Sequence, residues 1–189
     1  LSIELDTTLI AILKNYLPNN VEIIHQDGLK YSPPEEPYRV VANIPYNITS
    51  HLINHFLQNK NKPTSITLLV QKEVAEKICT LEPDMSVLSL QIALFGKAKL
   101  IKEVSKNNFY PIPKVDSAII HIEVYQNSNP NYLSREKALN ILNLAKKAFS
   151  QRRKKLRNTL PELKEELIKT NLAEKRPQHL NISDWKTIT

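Results

Sequence analysis

Short β-rich runs alternate with amphipathic helical runs from Leu1 to Tyr125, and this alternation restricts the chain to a mainly parallel sheet with helices on both faces. Leu1–Leu5 reads as the end of a strand, and Thr7–Leu17 as a helix with Leu9, Ile10, Leu13 and Leu17 on one face. Pro18-Asn19-Asn20 closes that helix, and Val21–His25 is the next β-rich run. Tyr38–Ala42 follows a proline-rich loop at 33–37, and its Val-Val-Ala content predicts a strand buried on both faces. A helix over Thr49–Asn59, a strand over Ser65–Val70 and a helix over Lys72–Leu81 come next. Ser117–Tyr125 alternates, with Ala118, Ile120, Ile122 and Val124 forming the covered face of another strand.

The pattern changes after the polar stretch Gln126–Pro130. We therefore expect an α/β domain over residues 1–127 and a small helical domain over 131–189. Ser134 is placed to cap a helix that buries Ala138, Ile141, Leu142, Ala145, Ala148 and Phe149. A second helix is expected after Pro161, with Leu163, Leu167 and Ile168 as its stripe, and a third from Ser183-Asp184-Trp185. Charge follows the same division. Residues 132–189 carry 14 Lys+Arg against 6 Asp+Glu, a net of +8, whereas residues 1–131 carry 12 against 13. An excess confined to one segment is how a polyanion-binding surface reads, although a solvated helical face gives the same pattern.

Several functions are excluded or disfavoured. With Gly28 and Gly96 as the only glycines, no glycine-rich nucleotide loop lies within these residues. The single cysteine, Cys79, rules out an internal disulfide and a cysteine zinc site, and reads as a small core residue in a reducing compartment. His51 and His55 have i, i+4 spacing but no glutamate between them and no evident third ligand, so no metal site is expected. No apolar run is long enough to span a bilayer and the first residues carry no signal-peptide pattern. We therefore expect no engagement with membranes. The single cysteine points to a reducing compartment, the cytoplasm or an organelle matrix, with cytoplasmic taken as the expectation, and we expect a monomer.

Parallel α/β sheets bind ligands at the C-terminal ends of their strands. Glu4, Asp27 and Asn43 stand at three such ends. Glu4 can accept from a ribose diol and Asp27 from the exocyclic amine of an adenine, while Gly28 presents a backbone N–H without a Cβ in the way. Taken singly, Glu4 also suits a surface acid and Asp27-Gly28 a plain turn. The segment Asn43-Ile44-Pro45-Tyr46 is more specific, because it follows a strand, precedes a helix and is stiffened by proline. An adenine amine is a poor nucleophile, its lone pair being delocalised into the ring. The Asn43 side-chain oxygen and the Ile44 carbonyl can both accept from such an amine and localise that pair, and Tyr46 can stack on the ring. Stacking on an aromatic side chain contributes about 1–3 kcal/mol per base, comparable to the few kcal/mol needed to flip a base out.

Six segments occur in an order that resembles the ribosomal RNA adenine dimethyltransferase family. They are Ile3-Glu4-Leu5-Asp6, Gln26-Asp27-Gly28, Asn43–Asn47, Leu69–Ala75, Phe109–Ala118 and Ala148–Asn158. The resemblance implies a Rossmann-like class I domain using S-adenosyl-L-methionine, followed by a helical RNA-binding domain. It gives Glu4 the donor's ribose hydroxyls and Asp27, Gly28 and Asn43 further donor contacts. Asn43, Ile44, Pro45, Tyr46 and Phe109 fall to the target base, and Arg152, Arg153, Lys154, Lys155 and Arg157 to phosphates on an RNA-facing helix. The partner implied is ribosomal RNA in a small-subunit precursor, dimethylated at adenine N6. The family's first strand and glycine-rich loop lie upstream of Glu4 and are absent here, so we expect an incomplete copy of a full enzyme. The Glu82–Met85 stretch also looks shorter than the family's loop. Two rival readings are a related large-subunit ribosomal RNA methyltransferase, and a non-catalytic RNA-binding or ribosome-assembly factor.

Overall fold

The computed structural model describes residues 1–80 and 84–189. Its strands are β1 (Ser2–Glu4), β2 (Ile23–His25), β3 (Arg39–Asn43), β4 (Ser65–Gln71), β5 (Gly96–Val104) and β6 (Ser117–Val124). Its α-helices are α1 (Thr7–Tyr16), α2 (Thr49–Leu57), α3 (Lys72–Cys79), α4 (Val87–Phe95), α5 (Arg135–Phe149), α6 (Leu156–Thr159), α7 (Lys164–Lys169) and α8 (Ile182–Thr187). The expected end of the third helix at Leu81, and residues Glu82 and Pro83 of the loop judged short, lie outside the described residues.

The strands form two sheets rather than one. β1 and β2 pair in parallel as one unit, and the others are ordered β3-β4-β6-β5. Within the larger sheet β3 and β4 are parallel, while β6 runs antiparallel to both of its neighbours, so the sheet is mixed. Among the described residues, the edge of β3 away from β4 and the edge of β1 away from β2 are unpaired, and both border one cleft. This corrects the expectation that β3 is buried on both faces. Val40 and Ala42 pack toward the core, but Val41, on the opposite face of β3, is 80% exposed. Helix α1, which packs on β1 and β2, buries none of its residues, and Leu9 is exposed.

The core forms where periodicity is strongest. Alternate residues Ile66, Leu68 and Val70 of β4 face the same side as Ile120, Ile122 and Val124 of β6. Helices α2, α3 and α4 cover that side, and the buried cluster continues through α5 to Trp185 of α8, which stacks on Phe149. Ser134 caps α5 by accepting from Lys137 N–H, as its sequence predicts. In the next helix Leu167 is buried but Ile168 is 56% exposed, because the stripe begins within a 3-10 turn whose phase differs from an α-helix. The third expected helix starts with Asn181 as its cap.

Lys62 links the sheet region to the helices that follow it. Its ammonium lies 5.5 Å from the Phe95 ring centroid and 4.7 Å from that of Tyr132. Burial, with a smaller contribution from the Arg135 charge, pulls the Lys62 pKa down.

Gly96 opens β5 so close to β6 that a Cβ there would overlap the Glu123 carbonyl oxygen. Gly96→Ala should therefore destabilise the protein by about 1–3 kcal/mol, the usual cost of forcing extra volume into a packed site. Thermal unfolding checks this, at about 2–4 °C of Tm per kcal/mol for a chain of this size. An unchanged Tm would mean that β5 can move away from β6 at little cost.

Candidate active site and basic pocket

The two unpaired edges enclose a cleft of about 650 Å³. Glu4 and Leu5, Asp27 and Gly28, and Asn43, Ile44 and Pro45 all line it, with Tyr38, Leu52 and Phe56 as an apolar wall. The strand-end residues singled out in the sequence thus meet at one opening. Glu4 Oε1 accepts from the Leu5 and Asp6 N–H groups at 2.7 and 2.8 Å. Asp27 Oδ1 accepts from Leu29 N–H at 2.9 Å. Each of these bonds occupies one carboxylate oxygen and orients the other. Gly28 adopts no left-handed backbone conformation, and a Cβ built on it would meet nothing closer than Leu52 Cδ1 at 4.0 Å. What the missing Cβ leaves open there is space on the wall of the cleft.

Asn43 is the last residue of β3, and Pro45 leads into a 3-10 turn at Tyr46–Ile48 that runs into α2. Thr49, itself buried, donates its hydroxyl to the Tyr46 carbonyl at 3.0 Å, and Ile48 N–H donates to the Pro45 carbonyl at 3.1 Å. The Tyr46 hydroxyl lies 2.6 Å from Ser117 Oγ, and Ser117 is fully buried at the start of β6. Tyr46 is therefore held at both its backbone and its ring tip. Tyr46 and Phe109 do not line the cleft. Phe109 ends a short 3-10 turn in the loop between β5 and β6, half-buried, next to Tyr110, whose side chain is wholly exposed. That loop is pinned by Asp116, which accepts Lys106 N–H on its carboxylate and Lys72 N–H on its carbonyl.

The basic run lies in a different setting from the one expected. Arg152, Arg153, Lys154 and Lys155 occupy the turn after α5 rather than a helix, because α5 ends at Phe149 and α6 begins only at Leu156. Arg152, Arg153 and Lys154 line a pocket of about 660 Å³ together with Arg176, which precedes the 3-10 turn at Pro177–His179. Lys155 and Arg157 instead converge on Glu174. The hydrogen bond from Lys155, followed by the Arg157 charge, holds the Glu174 carboxyl below its usual range. The run thus divides into three cations facing the pocket and two paired with one acid.

His55 Nε2 lies 2.7 Å from the Tyr31 carbonyl, which can only accept, so this histidine fastens α2 to the loop after β2. Cys79 is half-buried against the core, and burial raises its thiol pKa.

The family described as Ribosomal RNA adenine dimethylase matches residues 1–184. A curated relative from Dehalococcoides mccartyi (strain CBDB1), Ribosomal RNA small subunit methyltransferase A, is 35% identical over all of this chain and 69% of its own length. The protein of the same name from Clostridium botulinum (strain Langeland) is 38% identical over 86% of this chain and 61% of its own length. The chain belongs to the ribosomal RNA adenine dimethylase family. Two solved structures share the dimethylase fold. A dimethyladenosine transferase from Plasmodium falciparum superposes with TM-score 0.78 at 24% identity, over 98% of this chain and 78% of its own. The 23S rRNA methyltransferase ErmE gives 0.76 at 22% identity, over 99% and 79%. No described helix of the dimethylase is long and apolar enough to cross a membrane.

Two residues were missed in the sequence. Arg176 lies 22 residues after Lys154, with no periodic cue to their proximity. Ser117 is 71 residues from Tyr46, and only the sheet register brings them together. The Glu174 pairing predicts an acid response of fixed sign. A carboxyl whose folded pKa is lowered stabilises the fold above its unfolded value, near 4.5, and that contribution is lost as pH falls through the folded pKa. Glu174→Gln should therefore flatten the stability-versus-pH curve of the dimethylase below pH 4.5, as read from denaturant midpoints. A curve that keeps the wild-type slope there would show that Glu174 is not held by Lys155 and Arg157 in solution.

Proposed function

We propose that this dimethylase carries out two successive methyl transfers from S-adenosyl-L-methionine to the N6 amine of adenines in small-subunit ribosomal RNA. The observation that carries the reading is the Asn43-Ile44-Pro45 segment on a cleft whose wall holds Glu4, Asp27 and Gly28, with Tyr46, next in sequence, fixed by Ser117 and Thr49. The side chains gathered there suit a nucleoside-bearing donor. Glu4 keeps one carboxylate oxygen for a ribose diol and Asp27 one for an adenine amine, while the open space at Gly28 admits the ring against Tyr38, Leu52 and Phe56. When bound, S-adenosylmethionine supplies an electrophilic methyl on a sulfonium, which leaves as a neutral thioether.

This chain's own residues prepare the amine. Asn43 Oδ1 and the Ile44 carbonyl accept its two N–H groups, which draws the nitrogen toward tetrahedral geometry and frees its lone pair to attack. Tyr46 stacks on the target ring, with its tilt fixed by Ser117, and Phe109 packs on the opposite side. The extra proton on the methylated nitrogen departs to water, so no charged base is required. After the first transfer one N–H remains, and the same acceptors can direct the second. Arg152, Arg153, Lys154 and Arg176 hold phosphates of the RNA around their pocket, with Lys155 and Arg157 beside them. The names of the two curated relatives support small-subunit RNA over the large-subunit reading.

Incubation with isotopically labelled S-adenosylmethionine and unmethylated small subunits, followed by nucleoside mass spectrometry, tests the proposal. Labelled dimethyladenosine is expected, and Asn43→Ala should lower the rate by about 100-fold or more, the scale of losing one preorganised acceptor, while RNA affinity stays constant. RNA that binds but gains no label would leave the non-catalytic reading in its place. Donor binding has its own readout. Gly28→Val should weaken calorimetric binding of S-adenosylmethionine by about tenfold or more without lowering Tm, since its side chain would fill the cleft rather than the core. Equal binding by both proteins would take Gly28 out of the donor site.

A further inference from the structure

Strand β5 is an edge strand, and its side chains are sorted by face. Ala98 and Leu100 pair with Ile122 and Ile120 and share the core face, whereas Lys97 and Lys99 pair with Glu123 and His121 on the opposite face. Strict alternation would put residue 102 on the core side. Instead the register shifts between Leu100 and Lys102, leaving Ile101 as an extra residue, and Lys102 pairs with Ile119 on the face of the other lysines. The same shift sends Glu103 to the core side, where Lys72 of α3 neutralises it at 2.7 Å. A bulge sacrifices regular ladder pairing and is retained where it re-aims a side chain. Here it collects three lysines on one face and removes the acid that would interrupt them.

We infer that Lys97, Lys99 and Lys102 form a second RNA-contact surface, a track for a single strand that runs on from the target adenine. All three are exposed, and among the described residues none makes an ion pair. Glu123, across from Lys97, lies beyond ion-pair distance. β5 is parallel to β3 and β4, so the row rises toward the strand ends that carry Asn43 and Tyr46. Val104, at the top of β5, pairs with the Ser117 that holds Tyr46, and exposed Lys106 and Lys114 continue the positive charge into the loop beyond. Lys97 and Lys99, as alternate residues of a strand, repeat at about 6.7 Å, close to the step between successive phosphates of an extended nucleic acid, and the bulge returns Lys102 to the same face beyond them. A base leaving its stack for the Tyr46 loop takes its flanking backbone with it, and a positive groove is how unpaired strands are held. The inference rests on the proposed adenine methylation. It differs from the basic pocket in lying on the sheet, in a region whose net charge gave no hint of it.

The test is fluorescence anisotropy of a labelled single-stranded RNA containing two adjacent adenines, titrated over a series of salt concentrations. Replacing Lys97, Lys99 and Lys102 together by Gln should reduce the slope of log K against log salt by about 2, at about 0.7 per phosphate contact on a single strand. Lys99→Gln alone, at an exposed position where the fold is indifferent, should reduce it by about 0.7. Arg152→Gln with Arg153→Gln serves as the control for the other surface. A wild-type slope in both lysine variants, with a reduced slope in the control, overturns the track and leaves the lysines as guards against edge-to-edge pairing. Failure of every form of the protein, wild type included, to bind RNA would instead sink the RNA reading as a whole.

Discussion

The buried hydroxyl of Ser117 connects the sheet to its chemistry. Ser117 opens β6 between Gln71 of β4 and Val104 of β5, so its position is set by the hydrophobic register of three strands. A slip of one residue would turn Ile120 and Ile122 out of the core and move the hydroxyl to the other face. The core burial that fixes β6 therefore also fixes the ring of Tyr46 at 2.6 Å from Ser117. With Thr49 also holding the backbone, the Asn43–Tyr46 loop is over-determined, which suits its proposed role of presenting acceptors in a set geometry.

How much of this could be read from the sequence follows from which forces are local. Strands and helices with a clear period were legible, as were the strand-end residues Glu4, Asp27 and Asn43, because alternation of elements implies where strand ends gather. Helix α4 was missed, since Val87–Phe95 is apolar on all sides and carries no period, a consequence of burial all round. Strand β5 was missed for the opposite reason. As an edge strand with a bulge it reads Lys-Ala-Lys-Leu-Ile-Lys, whose alternation breaks after Leu100 before it is long enough to signal a strand. Val41 was read as buried because its composition matches an inner strand, whereas its exposure depends on what lies beside β3.

The basic run makes the same distinction in electrostatics. Sequence places the charges but not their partners, so five neighbouring cations looked equivalent. The turn after α5 separates them, and Glu174, 17 residues beyond Arg157, takes up two while Arg176 joins the other three. Net charge by segment was equally coarse. Residues 1–131 are nearly neutral in sum, yet the bulge in β5 arranges three of their lysines on a single face.

Lys62, clasped between Phe95 and Tyr132, joins the sheet to the helices by a contact unlike the ones proposed for RNA. A half-buried cation against two rings is shielded from mobile ions, whereas exposed lysines facing phosphates are not. Rising ionic strength would then strip the polyanion from the surface while the two parts of the protein kept their mutual orientation. Loss of a bound polyanion and integrity of the fold are thus separable, since salt acts on exposed charges and not on the contact that joins the sheet to the helices.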